Sequence, residues 1–316
     1  MNHPTLPPHR TGGSDTHIVG SMLLLPFATA SSVPSVPVGK DGHLAMVSLG
    51  TGSGQHADVA ATTSLWLTSG GTAIDTAYMY HDEQYIKQGI AAAGAARDSL
   101  FITSKILCGT KRKAKSQIAD NLKQLGMTAV DLMLIHFPEC QGGGSVADTW
   151  AALEEAYQAG QSKAIGVSNF VQSDLEKLKK TATVWPPAVN QVSMSVSKHD
   201  DATLAYGDAH GIVSMAYSPL CGGSNGSSCR SGSVLSIPLV QQIAKAHNVS
   251  TAQVGLKWVV QQGRPLTTAV AVADYMLEDL DLWSWGNLTD AEMKQLSGYE
   301  ASVGGRGPRV VEQARR

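Results

Sequence analysis

Leu100-Phe-Ile-Thr-Ser-Lys105 and Val130-Asp-Leu-Met-Leu-Ile-His136 are two short apolar runs, each ending in an ionisable side chain. Between them, residues 114–125 place apolar side chains at helical spacing and stop at Gly126, a residue suited to a left-handed helix C-cap. Strand, helix and strand at this spacing make a βαβ unit, which requires parallel pairing. The alternation continues in both directions. Further strands are expected at 47–50, 73–75, 164–167, 188–192, 213–218 and 267–272, eight in all. Helices are expected at 57–67 and 83–96, and from the capping boxes Ser173-x-x-Glu176, Ser250-x-x-Gln253 and Thr289-x-x-Glu292. Ahead of the first parallel strand, residues 34–38 and 44–47 flank an Asp41-Gly42 turn and predict a β-hairpin.

Eight such units predict an α/β protein of the closed (β/α)8 barrel type, with an N-terminal hairpin. No G-x-G-x-x-G follows an early strand, which argues against an open dinucleotide-binding sheet. Residues 33–316 are expected to form one domain. Residues 1–32 are expected to be a disordered extension. The alternative for that segment is targeting, because an apolar stretch over 18–30 ends in Ala28-Thr29-Ala30. Thirteen apolar-rich positions are too few to span a bilayer, so no membrane association is expected.

The net charge of −2 gives no reason to expect a nucleic-acid partner, and the densest basic cluster, Lys111-Arg112-Lys113, reads as a solvated face. The four cysteines show no metal-ligand spacing and are read as free thiols, in keeping with a cytoplasmic location and no bound metal. Sequons begin at Asn225, Asn248 and Asn287, but Ser250 and Thr289 are better explained as helix N-caps. The Gly222–Gly226 stretch is expected to be a surface loop, and the arginine-bearing end after Tyr299 a basic tail.

In a (β/α)8 barrel the C-terminal ends of the strands carry the chemistry. Reading only those positions gives Asp75, Lys105 and His136 on consecutive strands, then Ser168-Asn169, Asn190-Gln191 and Tyr217-Ser218. Ionisable groups ending apolar strands need a partner or a function. Asp75 and Lys105 can pair. A tyrosine shortly after Asp75, either Tyr78 or Tyr80, could join them, and an adjacent ammonium would lower a phenol's pKa and make it a usable proton donor. His136 could give a second hydrogen bond to a substrate oxygen. The set suits carbonyl reduction.

The segment Gly71-Thr-Ala-Ile-Asp75-Thr-Ala-Tyr-Met-Tyr80-His-Asp-Glu83 resembles the first signature of the aldo-keto reductases. Residues 101–105 and 130–138 are similar to that family's lysine and histidine strands. Residues 164–170, 188–191 and 216–220 resemble its cofactor-binding strand ends, and the match runs from about residue 33 to 300. The resemblance implies a catalytic set of Tyr80 (the acid), Asp75, Lys105 and His136, with Tyr80 and His136 also meeting substrate. It implies that Ser168, Asn169 and Gln191 hold the nicotinamide carboxamide and that Tyr217 stacks on the ring. Ser218 and Leu220 would touch the pyrophosphate, Thr51 the ribose, and Glu278 and Asp279 the adenine. The implied activity is reduction of small aldehydes, ketones or sugar-like carbonyls by an aldehyde reductase or alcohol dehydrogenase type of enzyme, acting as a monomer with NADPH.

The sequence departs from the family pattern in two places. Residues 268–276 lack the lysine and arginine that would clamp a 2′-phosphate, so NADH is the alternative cofactor. Gly52 stands where an aromatic residue is common, and the loop after His136 is short and Gly-rich at Gly142-Gly143-Gly144; together they predict an open pocket with few aromatic walls. The competing functional reading is a nicotinamide-binding regulatory or redox-sensing subunit with negligible turnover. A metal-dependent hydrolase using His136 and Asp75 is disfavoured because no second strand-end histidine or carboxylate stands beside them.

Overall fold

In the computed structural model, residues 33–52, 58–140, 142–222, 229 and 232–299 are described. Expectations about residues 1–32, the start of the first helix at Ala57, the sequon at Asn225, most of the Gly222–Gly226 loop and the tail after Tyr299 lie outside them. Eight parallel strands close on themselves: β3 (Val47–Gly50), β4 (Ala73–Asp75), β5 (Phe101–Ile106), β6 (Leu132–Ile135), β7 (Ile165–Ser168), β8 (Val189–Ser193), β9 (Val213–Tyr217) and β10 (Leu266–Thr268), which returns to β3. This is the expected (β/α)8 barrel. Strands with helices on one side and a packed interior on the other are buried on both faces, which explains why β6 and β7 read as unbroken buried runs.

The helices around it are α1 (Val59–Thr68), α2 (Glu83–Ala93), α3 (Lys111–Leu125), α4 (Val146–Gln158), α5 (Gln172–Lys179), α6 (Asp201–His210), α7 (Pro238–His247), α8 (Thr251–Val260), α9 (Ala273–Leu280) and α10 (Asp290–Ser297). Their ends follow local chemistry. Gly126 caps α3 in the left-handed conformation, and the Ser250 and Thr289 capping boxes open α8 and α10 as expected. The expected box at Ser173 does not form. Helix α5 starts two residues earlier, with Val171 at the N-cap; Asp174 reaches back to the Val171 N–H, and Glu176 instead accepts a hydrogen bond from Tyr206. Thr110 caps α3, so that helix begins with the basic cluster, and Lys111 and Lys115 both pair with Glu155 on α4.

Ahead of the barrel, β1 (Ser35–Val38) and β2 (Gly42–Ala45) form the predicted antiparallel hairpin. Val38, Leu44 and Ala45 pack with Ala73, Phe101, Leu132, Leu134, Ala164, Val189 and Met215 in one buried cluster, so the hairpin closes the N-terminal end of the barrel. The outward partners of these strand residues, including Val47, Leu49, Ile74, Ile102, Met133, Ile135, Ile165 and Val167, belong to a second core against the helices. The period of two is kept throughout.

The cysteines correct the sequence reading: they are paired as Cys108–Cys140 and Cys221–Cys229, and none of the four is free. Linear spacing hid the first pair, because 32 residues separate two cysteines that leave adjacent strands β5 and β6. The loops that carry them also meet at a Gly109–Ser145 bridge, and a Cβ on Gly144 would stand 2.2 Å from the Gly109 backbone.

Candidate active site

Strand parity decides what faces the barrel axis. Ala73, Phe101, Leu134, Ala164, Val189 and Met215 point inward. Stepping by two along each strand therefore brings Asp75, Lys105, His136, Ser168, Gln191 and Tyr217 to the same face at the C-terminal mouth.

The geometry joins most of them. Lys105, 1% exposed, forms a salt bridge to Oδ1 of Asp75, and donates to the Thr76 carbonyl at 3.0 Å. The second oxygen of Asp75 accepts from Gln191 Nε2 at 2.7 Å. Tyr80 sits in a 3-10 turn just after β4, and its hydroxyl lies 3.5 Å from His136 Nε2, with the rings edge to face. Lys105 Nζ stands 5.4 Å from the Tyr80 ring centroid. Tyr80 thus enters the cluster. Tyr78 is placed instead against His81, with ring centroids 6.0 Å apart.

Burial sets the protonation states. It raises the Tyr80 phenol above its ordinary value, with Asp75 and Asp82 adding to the rise, while Lys105 pulls the other way without cancelling it. The expectation of an acidified phenol is therefore corrected: the ammonium acts in the expected direction but desolvation wins. Burial also works against the Lys105 ammonium, yet Asp75, Tyr80 and Asp82 outweigh it and hold that group above its usual range. His136 is lowered well below its ordinary value by burial and by the Lys105 charge, so it is neutral at pH 7.

A second network adjoins the first. Asn169, in the left-handed region at φ 63°, donates from Nδ2 to the His136 carbonyl at 2.9 Å and to Ser168 Oγ at 3.1 Å. Its Oδ1 accepts from the Tyr217 hydroxyl at 2.8 Å. Ser168 Oγ donates to the Gln191 carbonyl at 2.9 Å. Thr51 follows β3, with its N–H on the Asp75 carbonyl at 3.1 Å. Ser218, also left-handed at φ 51°, accepts the Cys221 N–H in a turn, and Leu220 lies against helix α8 at Gly255.

Two predicted positions stand apart from this network. Glu278 is half-buried on α9. Asp279 is buried, accepts from Thr268 Oγ1 at 3.0 Å, and is pushed up to about 7 by desolvation. Tyr275 on the same helix is 59% exposed, with Val272 and Leu277 also exposed. Arg264, the nearest base in sequence, is engaged by Asp208. Gly52 does not open the pocket as expected, because a Cβ there would lie 2.2 Å from the Tyr80 ring. The sequence motif around Tyr80 contains Thr76, Asp82 and Glu83, but nothing in their linear pattern assigns them a role. Among the described residues, no three His, Cys, Asp or Glu side chains group to hold a metal ion, and no helix is long and apolar enough to cross a membrane.

A parallel (β/α)8 barrel with this strand-end cluster defines a class, and comparison with known proteins gives its family. The Aldo/keto reductase family matches residues 45–300. An aldo-keto reductase of Mycolicibacterium smegmatis is 32% identical, covering 86% of this chain and 92% of the relative. A 9,11-endoperoxide prostaglandin H2 reductase of Trypanosoma cruzi is also 32% identical, over 79% of this chain and 87% of that protein. Among solved structures, the Bombyx mori aldo-keto reductase in complex with NADP superposes with a TM-score of 0.77 at 25% identity, covering 85% of this chain and 94% of the other. The chain belongs to the aldo/keto reductase family and is an oxidoreductase.

Proposed function

We propose that this chain, as one catalytic domain over residues 33–316 and as a monomer, reduces small aldehydes, ketones or sugar-like carbonyls to alcohols with NADPH. The observation that carries this reading is the Tyr80 hydroxyl 3.5 Å from a neutral His136, with the Asp75-held Lys105 beside the same ring.

The donors at the strand ends fit a nicotinamide. Ser168, Asn169 and Gln191 bring hydroxyl and amide groups together at one mouth, which is the chemistry a carboxamide needs for its own N–H and C=O groups. Tyr217 is half-exposed beside them and offers an aromatic face. Bound NADPH supplies the hydride to the carbonyl carbon. The protein supplies the proton: Tyr80 gives its hydroxyl hydrogen to the substrate oxygen, and Lys105 stabilises the phenolate left behind. His136 orients the substrate oxygen by a hydrogen bond. Asp75 keeps Lys105 charged and in place.

NADH is the second reading, and residues 266–281 favour it. That stretch carries Asp274, Glu278, Asp279 and Asp281 but no lysine or arginine to meet a 2′-phosphate dianion. Sequence reading placed the chain in the cytoplasm; the paired cysteines favour an oxidising compartment instead, and fractionation of cells making the chain decides between them.

The test is Tyr80→Phe. Wild type should consume reduced nicotinamide with a reactive aromatic aldehyde, and the variant should lose that activity by roughly a hundredfold or more while still binding the cofactor. Equal, negligible turnover by both across a broad carbonyl panel would favour a cofactor-binding regulatory subunit instead.

A further inference from the structure

The Lys105 ammonium has three N–H donors. One is on Asp75 and one is on the Thr76 carbonyl. What fixes that second acceptor is a short chain of contacts outside the tetrad. The Thr76 hydroxyl, fully buried, donates to Oδ1 of Asp82 at 2.6 Å, and the Thr76 N–H donates to the Thr103 carbonyl at 2.9 Å. Asp82 is itself buried, and its backbone carbonyl receives the Tyr85 and Ile86 N–H groups at the start of α2. Thr76 is therefore pinned by all three of its polar groups, and Asp82 ties it to a helix end.

We propose that Asp82 and Thr76 are positioning residues for proton transfer: they fix the Thr76 carbonyl as the second acceptor for Lys105, so that its remaining N–H is directed to Tyr80. This rests on the reductase reading given above. A buried ammonium with a mobile acceptor would share its donors among several geometries, and only one of them faces the phenol oxygen. Asp82 also places negative charge near both partners. The groups acting on this corner are Asp75, Tyr80, Lys105 and Glu83, and Asp82 acts to raise the pKa of Tyr80, Lys105 and Glu83 alike.

Position and charge can be separated. Asp82→Asn keeps an oxygen for the Thr76 hydroxyl but removes the charge. Thr76→Val removes the hydroxyl and keeps the carbonyl, and Thr76→Ser restores the hydroxyl. The first readout needs no cofactor or substrate: 19F NMR titration of protein labelled with 3-fluorotyrosine, with Tyr80→Phe identifying the resonance among the eight tyrosines. In Asp82→Asn the Tyr80 titration should move down by about half a pH unit, the size expected for one nearby charge partly screened. Glu83→Gln serves as the control and should leave it in place. The second readout is turnover. Thr76→Val should lower kcat about tenfold with KM for the cofactor unchanged, and Thr76→Ser should recover it.

An unmoved Tyr80 titration in Asp82→Asn together with wild-type kcat in Thr76→Val would overturn the proposal. If Thr76→Val does not fold, the Asp82→Asn titration decides alone. If wild type reduces no carbonyl at all, the functional reading fails, while the titration still tests the positioning chain.

Discussion

Gln191 and Asp75 lie 116 residues apart and meet at 2.7 Å, amide N–H to carboxylate, on opposite sides of the barrel mouth. Asp75 gives its other oxygen to Lys105. The contact couples the side chain expected to hold the nicotinamide to the ion pair proposed to serve Tyr80 as proton donor, so the two halves of the proposed reaction would share one carboxylate. Removing the amide should harm both. In Gln191→Leu a buried carboxylate oxygen loses its donor, and a loss of about 2 kcal/mol, roughly thirtyfold in kcat/KM, is expected together with weaker cofactor binding. Steady-state kinetics beside fluorescence titration of the cofactor check this. A variant with altered KM for the carbonyl alone would show that the contact does not couple the two halves.

Gly52 should not tolerate a side chain. A Cβ there would stand 2.2 Å from the Tyr80 ring, so the ring or the Gly52 backbone must shift, and the ring's hydroxyl is the group beside His136. Gly52→Ala is expected to lower kcat at least tenfold, in keeping with the cost of a small displacement of a reacting group, with little change in thermal stability. Wild-type turnover in this variant would mean that Tyr80 has room to move without loss.

Two buried carboxyls give stability a pH dependence. Glu83 is fully buried, neither carboxylate oxygen has a hydrogen-bond partner, and burial pushes its carboxyl up to about 7; Asp279 is pushed to about 7 by the same cause. A carboxyl whose folded-state pKa is raised binds its proton more tightly when folded. Its contribution is complete below the ordinary carboxyl range, is lost progressively as pH rises through about 7, and changes no further above that. Stability measured by urea unfolding should therefore fall from pH 5 to pH 8, by an amount on the order of 3 kcal/mol per group. Glu83→Gln should flatten part of this slope and unfold at higher urea than wild type at pH 8. Identical curves at pH 8 would remove Glu83 as the cause.

The two disulfides should be measurable as constraints on the unfolded chain. Loop-closure entropy gives roughly 4 kcal/mol for Cys108–Cys140 and roughly 2.5 kcal/mol for Cys221–Cys229, taking loops of 32 and 8 residues. Reductant should lower the melting temperature, and Cys108→Ser with Cys140→Ser should reproduce most of that loss. Peptide mapping without reduction should recover both pairings. Four alkylatable thiols in the native, oxidised protein would contradict them.

The barrel was legible because it is periodic. Apolar runs bounded by turns and separated by helical patterns located all eight strands, and the strand-end rule found Asp75, Lys105 and His136 before any family likeness was used. Element ends were less legible. The last strand is Leu266–Thr268 rather than 267–272, because the apolar run continues past the pairing into the approach to α9, where Val272 is exposed. Three features depend on contacts that no local pattern encodes. Cys108 and Cys140 are joined because the barrel sets strands β5 and β6 side by side. Gly52 looks like spare room until the Tyr80 ring is placed beside it. The Tyr80 phenol looks acidified beside Lys105 until its burial is weighed against that charge.

The hairpin at the start of the fold has a consequence for traffic. With Val38, Leu44 and Ala45 seated on Phe101, Leu132 and Ala164, the barrel is a vessel sealed at its base. Asn169 and Tyr217 stand at the opposite, C-terminal end, beside the Tyr80 cluster, and that end is the proposed way in. If cofactor and substrate both enter there, as proposed, the one seated deeper is expected to arrive first and leave last.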